Sequence, residues 1–160
     1  MKHILLLLII LLPVMLPAQN YNRSLGVRTG SSRSIFYEIP NDGISSYRFM
    51  ITSRSGGQNI AAMKIFRRYK MPEIPEYLTF YYGYGAHAGY VRWEEEYDNR
   101  IDRHYSAPIA GLDALVGLAY DFTDIPVSIT IDARPYFDYG GANIFSISPG
   151  DVCLGAILHF

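Results

Sequence analysis

Apolar residues recur at every second position along most of this chain, a period that belongs to strands and not to helices. In the segment 77–93, Leu78, Phe80, Tyr82, Tyr84, Ala86, Ala88 and Tyr90 share one face. Thr79, Tyr81, Gly83, Gly85, His87, Gly89 and Val91 share the other. Further on, Ala110, Leu112, Ala114, Val116, Leu118, Tyr120 and Phe122 stand opposite Gly111, Asp113, Leu115, Gly117, Ala119 and Asp121. Val127, Ile129, Ile131 and Ala133 then face away from Ser128, Thr130, Asp132, Arg134 and Tyr136. No helical period of useful length and no solenoid repeat interrupts this pattern. Turn-forming residues at 40–43, 71–76 and 123–124 punctuate it. Eight strands are expected, at 22–30, 33–39, 44–53, 58–69, 77–93, 107–122, 126–138 and 150–160. In the fourth, either Ala61, Met63 and Ile65 face out with Lys64 and Phe66 inward, or the reverse; the residues leave both registers open.

The chain starts with the basic Met1-Lys2-His3, an apolar run at 4–16, and Pro17-Ala18-Gln19. This is the layout of a secretory signal cut after Ala18, giving a signal peptide at 1–18 and a barrel domain at 19–160. The run is shorter than the ~20 residues of a spanning helix and contains Pro13. No cysteine follows it to carry a lipid anchor.

A formal charge of −1, from 14 basic and 15 acidic residues, excludes a nucleic-acid partner held by a general basic field. The one cysteine, Cys153, excludes a disulfide framework and a Cys-rich zinc site. It falls on the inward face as a small filler. With 49% hydrophobic residues the chain is not disordered. The glycines at 83, 85 and 89 lack dinucleotide-loop spacing and no helix follows them, so no nucleotide cofactor is expected.

Alternation alone does not say which face is wet. A soluble barrel keeps its apolar face inside, whereas a transmembrane barrel turns it to lipid. Three features favour lipid. The less oily face carries Gly83, Gly85, Gly89, Gly111, Gly117 and Gly155, which suit a narrow interior better than a solvated exterior. The segments 77–93 and 107–122 exceed the ~9–11 residues that a tilted strand needs to cross a bilayer. The last residue, Phe160, follows Val152, Leu154, Ala156 and Leu158 at alternate positions, a pattern that looks like the C-terminal assembly signal of bacterial outer-membrane barrels. Energy fixes the register. Slipping two strands by one residue would turn Asp113, Asp121, Asp132 and Arg134 to lipid, at up to ~2–4 kcal/mol for each charge near the midplane. The expected fold is all-β, an eight-stranded antiparallel up-and-down transmembrane β-barrel. Its inner connections are then 40–43, 71–76 and 123–124, and its outer ones 30–32, 54–57, 94–106 and 140–149.

The stretch Tyr81-Tyr82-Gly83-Tyr84-Gly85-Ala86-His87-Ala88-Gly89, the segment 111–120 and the segment 125–135 resemble small outer-membrane β-barrel proteins of Gram-negative bacteria. The resemblance spans nearly all of the chain after the signal. It implies insertion by barrel-assembly machinery and contact with outer-membrane lipid and lipopolysaccharide. It carries over no catalytic residue.

Asp113, Arg134, Asp132, His87, Arg28, Arg48 and Glu38 are expected to point inward as a charge network that fills the lumen, because buried charges need partners. Asp113 and Arg134 should come within salt-bridge reach, directly opposite across a two-residue turn or diagonal across a four-residue one. Glu94, Glu95, Glu96, Asp98, Arg100, Asp102, Arg103 and His104 make a charged surface loop. It lacks EF-hand spacing, so no metal site is assigned. Asp102, His104 and Ser106 imitate a hydrolytic triad, but they lie too close in sequence on one loop to hold that geometry. Trp93, Tyr90, Tyr136, Phe137 and Tyr139, with Tyr77 and Phe122 at the other end, suit interfacial aromatic girdles. The expected protein is a monomeric, non-enzymatic outer-membrane barrel without cofactor, serving envelope structure, adhesion or partner docking through its outer loops. The alternatives are an outer-membrane lipid-modifying enzyme and a secreted soluble barrel with an apolar ligand.

Overall fold

The computed structural model describes residues 23–54, 56–68, 77–97, 100–141 and 145–160. The segment 1–18, expected to be a signal peptide, lies outside them. The described residues form strands β1 (Ser24–Gly30), β2 (Arg33–Pro40), β3 (Ser45–Arg54), β4 (Gly57–Arg68) and β5 (Leu78–Tyr97). They continue with β6 (Arg100–Asp121), β7 (Val127–Ala133), β8 (Tyr136–Gly140), β9 (Phe145–Ser148) and β10 (Val152–His159). Every pairing is antiparallel. The order β5-β4-β3-β2-β1-β10-β7-β6 is closed by β5–β6.

Ten segments make eight staves. β7 and β8 pair with the same strand in one unbroken register, Val116 with Ala133 and Asp113 with Tyr136. Between them Pro135 lacks an N–H, yet its carbonyl still accepts from Ala114 N–H at 2.9 Å. β9 and β10 run along that stave, with a one-residue register change between Ser148 and Val152. The fold is therefore an all-β, closed, eight-stranded antiparallel barrel.

Alternation sorts side chains as the period demands. Arg28, Arg48 and Arg134 are 2%, 1% and 0% exposed inside, while Leu112, Ile131 and Leu154 are 66%, 50% and 58% exposed outside. The interior is not uniformly polar, however. Phe36, Met50, Met63, Ile65, Tyr81, Leu115 and Ile157 form an apolar cluster in it. Glycines make the space: a Cβ on Gly26 would collide with the Phe36 ring, and one on Gly117 would lie 2.6 Å from Tyr81 Cζ. This also resolves β4, where Ala61, Met63 and Ile65 are buried and Lys64 and Phe66 are not. A Cβ on the neighbouring Gly83 would sit 2.6 Å from Ile65 Cδ1, so large β4 residues fill the room that β5 glycines leave. Outside, Lys64 extends its ammonium over the Phe66 ring at 5.3 Å.

Three expectations need correction. The connection 140–149 is shorter than read, because Phe145–Ser148 pairs with β8 and packs Phe145 against Phe137 and Tyr139 at ring distances of 5.7 and 5.4 Å. The connection 94–106 is mostly not a loop, since β5 and β6 remain paired to Tyr97 and Arg100. And Tyr136 and Trp93 do not belong to an exterior girdle. Tyr136 lies beneath the buried Arg54 guanidinium, 3.6 Å from ring centroid to Cζ. Trp93 shares strand parity with inward His87 and stacks on Tyr105 at 5.7 Å.

Candidate functional site: the filled interior

Three tiers of polar side chains cross the barrel. At the end that holds the described chain termini, Glu38 on β2 accepts from Arg48 Nε at 3.0 Å and Ser46 Oγ at 2.5 Å, both from β3. Arg67 from β4 reaches the same carboxylate at 3.0 Å. Across the bore, Thr79 and Ser128 donate to opposite oxygens of Asp121, at 2.6 and 2.5 Å. A carboxylate only accepts, so the single hydroxyl hydrogen of Ser128 is committed. Its oxygen then accepts from His159 Nε2 at 2.7 Å, which leaves Nδ1 to accept from Ser24 Oγ at 2.9 Å. The chain fixes one tautomer of His159 and ties β1, β7 and β10 together at the seam.

In the middle tier Arg28 donates from Nε to Asp132 Oδ1 at 2.8 Å and also from Nη2, while Tyr81 OH donates to Oδ2 at 2.8 Å. Arg134 lies between two acids, its Nε 3.3 Å from Asp151 and 3.6 Å from Asp113. The turn 123–126 has four residues, closed by Phe122 N–H on the Val127 carbonyl at 3.1 Å. Asp113 and Arg134 are accordingly diagonal neighbours. In the third tier, toward the β5–β6 hairpin, His87 meets Asp113 at 2.9 Å through Nδ1 and Asp138 at 2.7 Å through Nε2. Arg54 Nη2 donates to both Asp138 oxygens at 2.8 Å.

All seven lumen residues read from the sequence, Arg28, Glu38, Arg48, His87, Asp113, Asp132 and Arg134, are thus buried inside, and the three arginines are among the largest fully buried side chains. Arg54, Asp138 and Asp151 were missed. Asp138 shares the parity of Asp132 and Arg134, a usable signal. Asp151 shares the parity of the inward Cys153 within the strand expected at 150–160, a second usable signal.

The charged outer residues are arranged differently from a loop. Glu94, Glu95 and Glu96 lie on β5, and Arg100, Asp102, Arg103 and His104 on β6. Asp98 lies outside the described residues. Glu94 pairs with His104 and Glu95 with Arg103, with a bulge after Glu95. Glu95 and Arg103, opposite one another in the register, are of opposite charge, which favours continued pairing. At the other extreme of the chain, Val152, Leu154, Ala156 and Phe160 are exposed on the exterior and Leu158 half-buried, while β10 pairs with β1 and β7 and closes the ring. A shallow groove of about 650 Å³, bounded by Leu25, Ile35, Phe49, Ile51, Ile60 and Ala62, is apolar and carries no polar chemistry.

Among solved structures the chain is similar to the N-terminal β-barrel domain of Pseudomonas aeruginosa OprF. The likeness is one of fold. The TM-score is 0.60 at 13% identity, over 89% of this chain and 100% of that one. No protein-family model and no curated protein matches the sequence.

Proposed function

We propose that this chain is an integral outer-membrane β-barrel, exported by its segment 1–18 and acting without enzymatic chemistry. It would work as a monomer in envelope structure, adhesion or partner docking, through the ends of its outer hairpins. The observation that carries the reading is the inversion of polarity. Leu112, Ile131 and Leu154 are exposed on the exterior while arginines and acids are buried within. In water such an exterior would be an aggregation surface, and in lipid it is solvated. The even stave count brings Arg23 and Phe160 to one end of the barrel; in this reading that end is periplasmic and the long β5–β6 hairpin reaches outward among lipopolysaccharide. The alternating row Val152, Leu154, Ala156, Leu158 and Phe160 is offered to the barrel-assembly machinery during insertion.

A non-enzymatic reading is supported by strand geometry in the hairpin. Asp102, His104 and Ser106 are alternate residues of β6, spaced roughly 6.8 Å apart along a strand, and this does not assemble a hydrogen-bonded triad. Cell fractionation tests the reading. The expected result is outer-membrane enrichment with heat-modifiable migration in detergent gels; release into buffer without detergent would overturn it.

A further inference from the structure

At the β5–β6 hairpin end, Arg54, Val91, Trp93, Ile109, Tyr136 and Asp138 help to enclose a recess of about 180 Å³. Arg54 is only 8% exposed. Its Nη2 serves Asp138 and its guanidinium stacks on Tyr136, but Nη1 is buried with no hydrogen-bond partner among the described residues. A buried charged donor left unpaired is costly and calls for an acceptor. Beside it, the Asp138 carboxylate lines the same recess and can accept. Trp93, held by its stack on Tyr105, adds a flat apolar wall.

These features select a ligand class. An apolar ligand would leave Nη1 unpaired. An anion gains little, since Asp138 already meets the Arg54 charge and Asp113 stands behind His87. A cation would be repelled by Arg54. A neutral sugar ring offers what is needed: adjacent hydroxyls that accept and donate, and a C–H face for an aromatic wall. The volume corresponds to about six waters' share of liquid, enough for one ring and not for a chain. We propose that this recess binds a single neutral hexose ring, with Arg54 Nη1 donating to one hydroxyl, Asp138 accepting from the next, and Trp93 against the C–H face. The site's chemistry is independent of the membrane; only a cell-surface glycan as its source rests on the outer-membrane reading.

Trp93 is the single tryptophan of the sequence, so intrinsic fluorescence of the full chain in detergent reports on the recess directly. The probes are D-glucose, D-galactose and D-mannose, with D-glucuronate and inorganic phosphate as anionic counterparts. The expected result is a saturable emission change with at least one neutral hexose. Arg54→Lys, which keeps the charge facing Asp138 but loses the planar fork that sets Nη1 apart from the nitrogen serving Asp138, should weaken it at least tenfold while heat-modifiable migration stays unchanged. Asp138→Asn provides a second variant, expected to weaken the same sugar, should Arg54→Lys fail to fold. No saturation with any hexose, saturation with the anions alone, or unchanged midpoints in the folded variants would each overturn the proposal. Fractionation reads the membrane placement separately.

Discussion

Arg28 is buried, so its charge depends on Asp132, with Asp151 3.7 Å away as a weaker second partner. Removing one member of a buried pair leaves the other uncompensated, at about 3–5 kcal/mol. Asp132→Ala should therefore lower the unfolding free energy read from urea titration by that order, since it also deprives the Tyr81 hydroxyl of its acceptor. The double variant Arg28→Met, Asp132→Leu should recover part of the loss, because no uncompensated charge remains, although the Tyr81 hydroxyl still lacks this acceptor. Asp42 behaves differently. It lies in the exposed turn that Gly43 closes at φ 71°, and accepts from Ser45 Oγ and Ser45 N–H, both at 2.7 Å. The Ser45 hydroxyl first, and then its amide, hold the carboxyl below its usual value of 3.8. A depressed folded value stabilises the protein above the unfolded value and loses that contribution as pH falls through the folded one. The midpoint difference between the parent and Asp42→Ala should thus be full at pH 7 and shrink below pH 3.8; a difference that grows on acidification would contradict this assignment.

The strands differ in how far their sequences disclose them. β6 and β7 are plain because one face is apolar and the other holds Asp113, Asp121, Asp132 and Arg134, so only one register is affordable in lipid. β4 is ambiguous in isolation, as Met63 and Ile65 look like lipid-facing residues. Their burial follows from Gly83 and Gly85 on β5, a pairing that exists only once register is set. The hairpin beyond Tyr90 reads as a loop because a charge run suggests a solvated segment; instead the strands stay paired, with Trp93 stacked on Tyr105 at its base. In the interior, the charges of the middle tier are legible by parity, Asp151 among them through Cys153, while Arg54 is not, because it falls where the connection 54–57 is expected and β3 runs one residue further. β10 invites its own test. Phe160 is 41% exposed, and its backbone exchanges hydrogen bonds with Arg23 at 3.1 and 3.0 Å. The side chain therefore adds little to the finished barrel. If it serves assembly, Phe160→Ala should refold in detergent with parental heat-modifiable migration yet accumulate poorly in the outer membrane of cells. Loss of both together would assign Phe160 to stability instead.

Across the whole barrel, Arg28, Arg48, Arg134, Tyr81, Ile65 and Ile157 are each under 2% exposed or nearly so, and their side chains fill the cross-section between the tiers. Eight strands leave a bore that side chains occupy, so planar bilayers should record no stable conductance from the intact protein. The same inversion sets the sign of a surface substitution. Ile131 is 50% exposed and paired on both sides, to Leu154 and Leu118, within the apolar belt. On a soluble protein, arginine at so open a position changes stability by no more than about 0.5 kcal/mol. Facing hydrocarbon near the midplane, it costs about 2–4 kcal/mol. Ile131→Arg should therefore lower the urea midpoint sharply in phospholipid vesicles and far less in detergent micelles, whose short chains let a long side chain reach water. Its neighbour Thr130, buried inside, gives the control: Thr130→Ser keeps a hydroxyl facing the bore and should respond equally in both media. An Ile131→Arg cost that is negligible in vesicles would mean that the belt never meets lipid.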